Sequence, residues 1–152
     1  MQVSDMAFFH EASKRICGCL DPETMLADIR DYLRQFMPAE GLNLNIYEPE
    51  KRMIVGIASV NAYQEDWFHL PAKLSDEGVR VVEGNRQDRV TIVNRPESHP
   101  VGKSLLPENR LHLFSYLVLH LEVSGERLGV LWVSARGRDL YQPEHARLLG
   151  LL

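Results

Sequence analysis

The chain has 152 residues, of which 45% are hydrophobic, so it is long enough to form one domain with its own core. A formal net charge of −4 gives no basic surface for nucleic acid, and no apolar run is long enough to cross a membrane. The N-terminus lacks the charged start of a signal peptide, and the two cysteines cannot form a disulfide framework. These features predict a single cytoplasmic domain over residues 1–152 that contacts neither nucleic acid nor membrane.

Two helices are predicted in the first quarter of the chain. Apolar side chains recur at close to helical spacing over residues 5–20. Asp21 and Pro22 then suit an N-cap and a first helical residue. An apolar stripe from Met25 to Met37 continues this second helix until Pro38 ends it.

Alternating side chains then predict strands. Apolar residues at 42, 44 and 46 alternate with polar or aromatic ones at 43, 45 and 47, and a second strand returns over residues 53–60. Ser75 is a candidate N-cap for a short helix through Glu83, and residues 89–94 form a short strand. Residues 95–112 contain three prolines and little regular pattern, which predicts a lid or a mobile loop.

A β-hairpin is predicted after this loop. A two-residue turn at Ser124 and Gly125 pairs His120 with Gly129 and Leu117 with Trp132. This register predicts one apolar face, formed by Leu117, Leu119, Leu121, Leu128, Val130 and Trp132. The other face is mixed and holds Tyr116, Val118, His120, Glu122, Gly129 and Leu131. One face would seal a core and the other could surround a ligand, which favours a binding module over an enzyme.

The final predicted helix begins at Pro143 and runs into apolar residues with neither a cap nor a polar tail. We therefore expect that the chain was cut from a longer polypeptide whose missing part lies C-terminal. Helices at both ends enclose a set of antiparallel strands, and this order predicts an α+β fold.

The hairpin also carries a family resemblance that extends over nearly the whole chain. The segments 115–121 and 128–131 are similar to the hairpin of GAF domains, in which a Ser-x-Leu-x-Val-Pro-Leu strand returns through Gly-Val-Leu. Residues 90–94 resemble the family's Val-x-Ile-x-Asp. His120 stands where Pro is common, and Asn94 stands where Asp is usual. The resemblance implies an antiparallel sheet of about six strands, with the N- and C-terminal helices on one face. It places a ligand pocket, a short helix and loops on the other face.

Two further segments, residues 8–12 and 32–39, resemble the GAF domains that head bacterial sigma-54-dependent transcription activators. This resemblance implies a regulatory, non-enzymatic domain that senses an unidentified small molecule and is covalently linked to a downstream output domain. It also implies a homodimer formed through the terminal helices. The alternatives are a GAF domain of a sensor histidine kinase or of a cyclic-nucleotide-signalling protein, a ligand-free dimerisation module, or a thiol-dependent methionine sulfoxide reductase.

The candidate ligand site combines two polar stripes with aromatic walls. His120 can donate or accept a hydrogen bond near neutral pH, and Gly129 opposite it would leave room above the sheet. If both stripes share one face, they form an amide-rich pocket suited to a small polar or cyclic-nucleotide-like ligand. A half-buried histidine, a solvated sheet face and plain core aromatics are the simpler alternatives. The candidate ligand-binding residues are Asn43, Asn45, Tyr47, Trp67, Tyr116, His120 and Gly129.

The two cysteines, Cys17 and Cys19, give no metal site. A zinc tetrad needs about four ligands, and neither a second cysteine pair nor a spaced histidine pair accompanies them. Two small core or interface residues are the simpler interpretation, since free cysteine is commonly buried. No metal and no cofactor is indicated by the sequence.

Overall fold

The computed structural model describes residues 4, 5, 7, 8, 11, 12, 21–61, 72–84, 89–105, 113–123 and 126–152. Its helices are α1 (Pro22–Leu33), α2 (Asp76–Glu83), α3 (Pro100–Leu105) and α4 (Pro143–Leu149), with a 3₁₀ turn at Pro96–Ser98. Its strands are β1 (Gly41–Glu48), β2 (Met53–Asn61), β3 (Ala72–Lys73), β4 (Val90–Val93), β5 (Phe114–Val123) and β6 (Glu126–Arg136). Of the helix predicted over residues 5–20, residues 5, 7, 8, 11 and 12 are helical, and the others lie outside the described residues.

The six strands form one sheet in the order β3-β2-β1-β6-β5-β4, in which each strand is antiparallel to its neighbours. On one face, α1, α4 and the helical residues near the N-terminus (5, 7, 8, 11 and 12) cover a core that includes Phe8, Leu33 and Leu149. On the other face, α2 and α3 cover a second apolar cluster that includes Val79, Val101 and Trp132. The predicted α+β fold is confirmed, with the terminal helices on one side of the sheet.

Local sequence signals account for the helix starts. The Asp21 carboxylate accepts a hydrogen bond from the Thr24 backbone N–H at 3.0 Å, and the Ser75 hydroxyl accepts one from the Gly78 N–H at 3.1 Å. Each bond satisfies a backbone donor that the first turn of a helix leaves unpaired. Pro22 and Pro143 occupy the first positions of α1 and α4, where a missing N–H costs nothing.

The predicted hairpin register is right near the turn and wrong beyond it. Val123 pairs with Glu126 and Glu122 pairs with Arg127, but Leu121 then pairs with Gly129. A β-bulge therefore adds one residue to β6. Because side chains alternate, a shift of one position exchanges the two faces of the strand. Leu131 belongs to the helix-covered core, whereas Val130 and Trp132 lie on the opposite face, the reverse of the prediction.

The segment predicted as a lid or loop over residues 95–112 is more regular than expected. Its described part forms the 3₁₀ turn and α3, while residues 106–112 lie outside the described residues. Proline opens both of these elements, at Pro96 and Pro100, which is where a helical turn tolerates it. None of the described helices has the length and hydropathy needed to span a membrane.

Candidate functional site

A cavity of about 320 Å³ lies between the sheet and the α2–α3 layer. Volumes of about 300–1,000 Å³ are typical of small-molecule sites. The sheet contributes side chains from five strands, and α2 and the start of α3 supply the facing wall. The described lining consists of Tyr47, Pro49, Ile54, Val81, Val82, Glu83, Thr91, His99, Val101, Tyr116, Val118, His120, Leu121, Gly129, Val130 and Trp132.

The largest aromatic surface in the lining is a stacked pair. The Tyr116 and Trp132 rings lie 4.5 Å apart between centroids with an interplanar angle of 5°. Tyr116 is fully buried, and burial raises the pKa of its phenol far above the usual value, so the hydroxyl stays protonated. That hydroxyl has no hydrogen-bond partner among the described residues. The pair therefore offers a flat apolar surface together with a buried polar group.

His120 faces the cavity as predicted, and a contact with Thr91 in the neighbouring strand β4 orients its side chain. It is 8% exposed, and its Nε2 lies 3.1 Å from the Thr91 hydroxyl. The residue opposite it in β6 is Val130 rather than Gly129, because of the bulge. A ring nitrogen bonded to a hydroxyl can act as donor or acceptor according to its tautomer.

Tyr47 and Glu83 form the polar edge of the cavity. The Tyr47 O–H donates to the Glu83 carboxylate at 2.9 Å, which joins β1 to the C-terminal end of α2. Burial, and then the hydrogen bond and negative charge of Glu83, raise the pKa of Tyr47. The phenol is therefore neutral at physiological pH and holds the carboxylate in place.

Asn43 and Asn45 lie on the cavity face of the sheet but outside the described cavity lining. They pair with Trp132 and Val130 in the β1–β6 register, and directly opposed residues share a face. Both asparagines are buried, and Asn43 Oδ1 accepts a hydrogen bond from the Ser59 hydroxyl. Neither amide atom of Asn45 has a partner among the described residues. The two polar stripes thus share one face, and a direct ligand contact by either asparagine stays a prediction.

Gly129 lines the cavity, but its lack of a side chain does not make room for a ligand as predicted. A Cβ at this position would lie 2.5 Å from the backbone carbonyl oxygen of Asn45 and 3.2 Å from Ile46 Cγ2. The glycine therefore permits the close approach of β6 to β1 beside the bulge. It does not leave open space for a ligand above the sheet.

Trp67, predicted as part of the ligand site, lies outside the described residues. Trp132, Thr91 and Glu83 were missed as lining residues. Trp132 was assigned to the opposite face because the bulge leaves no recognisable trace in the sequence. The other two belong to elements that were predicted correctly but whose position over the sheet is a tertiary property. Within the described part of the chain, no cluster of three metal-ligating side chains occurs.

Asn94, which departs from the usual Asp, also lies outside the described cavity lining. Its Nδ2 donates to the Tyr141 carbonyl and its Oδ1 accepts from the Tyr141 N–H, each at 2.9 Å. The Tyr141 hydroxyl in turn donates to the Pro38 carbonyl at 2.7 Å. The amide thus joins the end of β4 to the segment that leads into α4. This role needs both a donor and an acceptor. An ionised Asp could accept from the N–H but could not donate to the carbonyl.

Comparison with solved structures places this architecture in a known fold. The GAF domain of an Acinetobacter phosphoenolpyruvate-protein phosphotransferase has a TM-score of 0.64 at 15% identity, covering 98% of this chain and 87% of that one. The phycocyanobilin-bound GAF domain of a cyanobacterial phytochrome has a TM-score of 0.63 at 11% identity, covering 99% and 90%. The free methionine-R-sulfoxide reductase of Neisseria meningitidis, solved with its substrate, has a TM-score of 0.61 at 16% identity, covering 99% and 87%.

The chain therefore has the GAF fold. At these identities the likeness concerns the fold alone, and the fold is shared by a GAF domain of a phosphotransferase and by a reductase. No protein-family model and no curated protein matches the sequence.

Proposed function

We propose that this chain is a regulatory GAF domain that senses a small molecule in a bacterial signalling protein. The observation that carries the proposal is the cavity between the sheet and α2–α3, with its stacked aromatic pair and converging polar groups. Apolar cavities with a few oriented polar groups are the usual form of a small-molecule site. Two solved structures with this fold hold a small molecule: the Neisseria reductase contains its substrate, and the cyanobacterial phytochrome domain contains phycocyanobilin.

The connection between this cavity and α4 supports a signalling role. His99 and Val101 line the cavity and follow directly after the 3₁₀ turn. Beside that turn, Arg95 forms a two-bond ion pair with Asp139 at 3.0 and 3.2 Å, and Arg138 binds Glu97. The hydrogen bonds from the neighbouring guanidinium groups lower the carboxyl pKa values, so both pairs are charged at neutral pH.

These ion pairs and the Asn94–Tyr141 bonds attach the cavity wall to the segment preceding α4. A ligand that binds one arrangement of the wall better than another would bias the position of α4. In this proposal, α4 passes the change to a covalently linked output domain. The resemblance to the sensory domains of sigma-54-dependent activators supports the ATPase module of a transcription activator as that output, with a cytoplasmic location.

A homodimer through the terminal helices is part of the same proposal. Arg147 of α4 binds Asp5 at 2.7 Å, so the helical residues near the N-terminus lie beside α4 in one chain. Leu151 and Leu152, just beyond α4, are only partly buried against the core. Such a helix pair can present an apolar seam to a second copy. Sedimentation velocity across a range of concentrations tests this, and a monomer throughout would contradict it.

A thiol-dependent reductase is the alternative from the enzyme class, because a methionine sulfoxide reductase shares the fold. Among the described lining residues none is a cysteine, and the chain has cysteine only at positions 17 and 19. We therefore propose a non-catalytic domain. Rapid alkylation of both thiols in the folded protein, together with reduction of free methionine sulfoxide, would contradict that view.

Thermal-shift screening against metabolites and cyclic nucleotides tests the sensory proposal. A ligand at 100 times its Kd stabilises the folded state by about 2.7 kcal/mol. The matched variants are Val130→Phe, which fills the cavity, and Ile57→Phe, which adds the same ring at an exposed site. We expect stabilising compounds to lose their effect on Val130→Phe and to keep it on Ile57→Phe. Equal responses of the two variants, or no response from the unaltered protein, would overturn the proposal.

A further inference from the structure

We infer that the cavity selects a small, flat aromatic molecule that is uncharged or positively charged, and that it discriminates against anions. The inference rests on the proposed sensory function and names the ligand class for that cavity. It departs from the polar or cyclic-nucleotide-like ligand that the sequence suggested. The reasons are the shape of the apolar surface, the sign of the charge at its edge and the position of its polar groups.

The shape of the surface favours a flat ring. Tyr116 and Trp132 are parallel and both line the cavity, so a ligand ring in the cavity can pack against the aromatic surface of the pair. Val118 and Val130 flank these rings on the sheet floor, and Val82 faces them from α2. A planar ring buries more apolar area in such a slot than a flexible chain does, and it loses less conformational entropy on binding.

The charge of the lining favours a neutral molecule or a cation. Among the described lining residues, Glu83 is the only aspartate, glutamate, lysine or arginine. It is the last residue of α2, so the negative end of the helix dipole adds to its charge. A phosphate or carboxylate entering this space would lose water without meeting a lysine or arginine among those residues, which is costly. An ammonium or N–H group would instead approach a carboxylate already oriented by Tyr47.

The polar groups also suit an aromatic nitrogen compound. A carboxylate can accept several hydrogen bonds, so Glu83 keeps acceptor capacity besides its bond from Tyr47. The Tyr116 hydroxyl, which has no partner among the described residues, and the His120–Thr91 pair add groups that can donate or accept within the same lining. An aromatic ring with an N–H or an ammonium substituent can satisfy both the stack and the carboxylate.

Three probes with the same ring and different charge test the inference. Isothermal titration calorimetry with indole, tryptamine and indole-3-acetate at about pH 7.5 compares a neutral, a cationic and an anionic molecule. We expect indole and tryptamine to bind. Indole-3-acetate should bind roughly tenfold more weakly than tryptamine, because Glu83 modestly attracts the ammonium group and modestly repels the carboxylate. Indole-3-acetate binding as tightly as tryptamine would overturn the inference.

Two variants connect the result to the cavity. Glu83→Gln should remove most of the difference in affinity between tryptamine and indole-3-acetate, because it removes the negative charge while keeping a hydrogen-bond acceptor. An unchanged difference would overturn the role of Glu83. Val130→Phe should abolish binding of all three probes, and Ile57→Phe should not.

The two proposals fail in distinguishable ways. If no probe binds, the ligand class is wrong. If the metabolite screen then yields a compound of another class that Val130→Phe rejects, the sensory function stands. A protein that binds neither the probes nor any screened compound contradicts both.

Discussion

Asn94 shows how much of this architecture depends on one side chain. It donates to and accepts from the backbone of Tyr141, and so joins β4 to the start of α4. Asn94→Ala removes both of these hydrogen bonds to the Tyr141 backbone, and we expect a loss of about 1–3 kcal/mol in unfolding free energy. Urea unfolding followed by circular dichroism measures the loss. A change below about 0.5 kcal/mol, the usual limit for an unremarkable surface position, would contradict the assigned role.

The Asn94→Asp variant separates the two hydrogen bonds. An ionised carboxylate keeps the bond from the Tyr141 N–H but faces the Tyr141 carbonyl without a donor. We expect a loss of stability at pH 7 that shrinks relative to the unaltered protein as the pH falls toward about 4, because a protonated Asp donates again. A loss that is independent of pH would show that the bond to the carbonyl contributes nothing.

His145 adds a pH-sensitive contact at the start of α4. Its Nδ1 accepts from the Gln142 N–H at 3.0 Å, and burial lowers its pKa from the usual 6.5. Neutral His145 therefore contributes fully to the unfolding free energy above about pH 6.5, the usual pKa. This contribution is lost as the pH falls through the lower pKa of the folded state. We expect the unfolding free energy to fall between about pH 7 and pH 5, and to fall less in His145→Asn. Parallel pH profiles for the two proteins would contradict this.

At the scale of secondary-structure elements, the contact between β1 and β6 depends on Gly129. A Cβ there would lie 2.5 Å from a backbone oxygen of β1, which cannot move like a side chain, so Gly129→Ala must shift one strand. We expect a cost of about 1–3 kcal/mol, as for other overpacked sites. Gly150→Ala is the matched control, because Gly150 has helical dihedral angles and a Cβ would lie 3.3 Å or more from its neighbours. Urea midpoints that fall equally for both variants would contradict the argument.

At the scale of the whole molecule, the sheet separates a sealed core from a cavity. Val133 is fully buried on the helix-covered side, and Val118 lines the cavity on the other side. Val133→Ala, which deletes two methyl groups, should lower the unfolding free energy by about 2 kcal/mol. This figure includes the cost of the void that the substitution leaves. Val118→Ala should cost less than half of that, because atoms beside a cavity already lack partners on one side. Chemical denaturation of both variants measures the ratio, and equal or reversed losses would contradict the two-layer description.

The division between local and tertiary information is clearest in β1 and β6. The alternation at residues 42–47 correctly gave both the strand and its two faces, since a regular strand repeats every two residues. The same reasoning put Trp132 on the wrong face of β6, because one bulged residue reverses the alternation that follows. His120, in the unbulged partner strand, was placed on the cavity face correctly.

The sequence by itself determined the helix caps, most strand positions and the α+β class, because these depend on residues within a few positions of one another. The tertiary structure alone decided which side chains surround the cavity, that Asn94 holds Tyr141, and that Gly129 serves strand packing. Each of these depends on groups far apart in the chain, brought together by sheet order, a bulge and the position of α2 over the sheet. Local patterns carry no information about such distances.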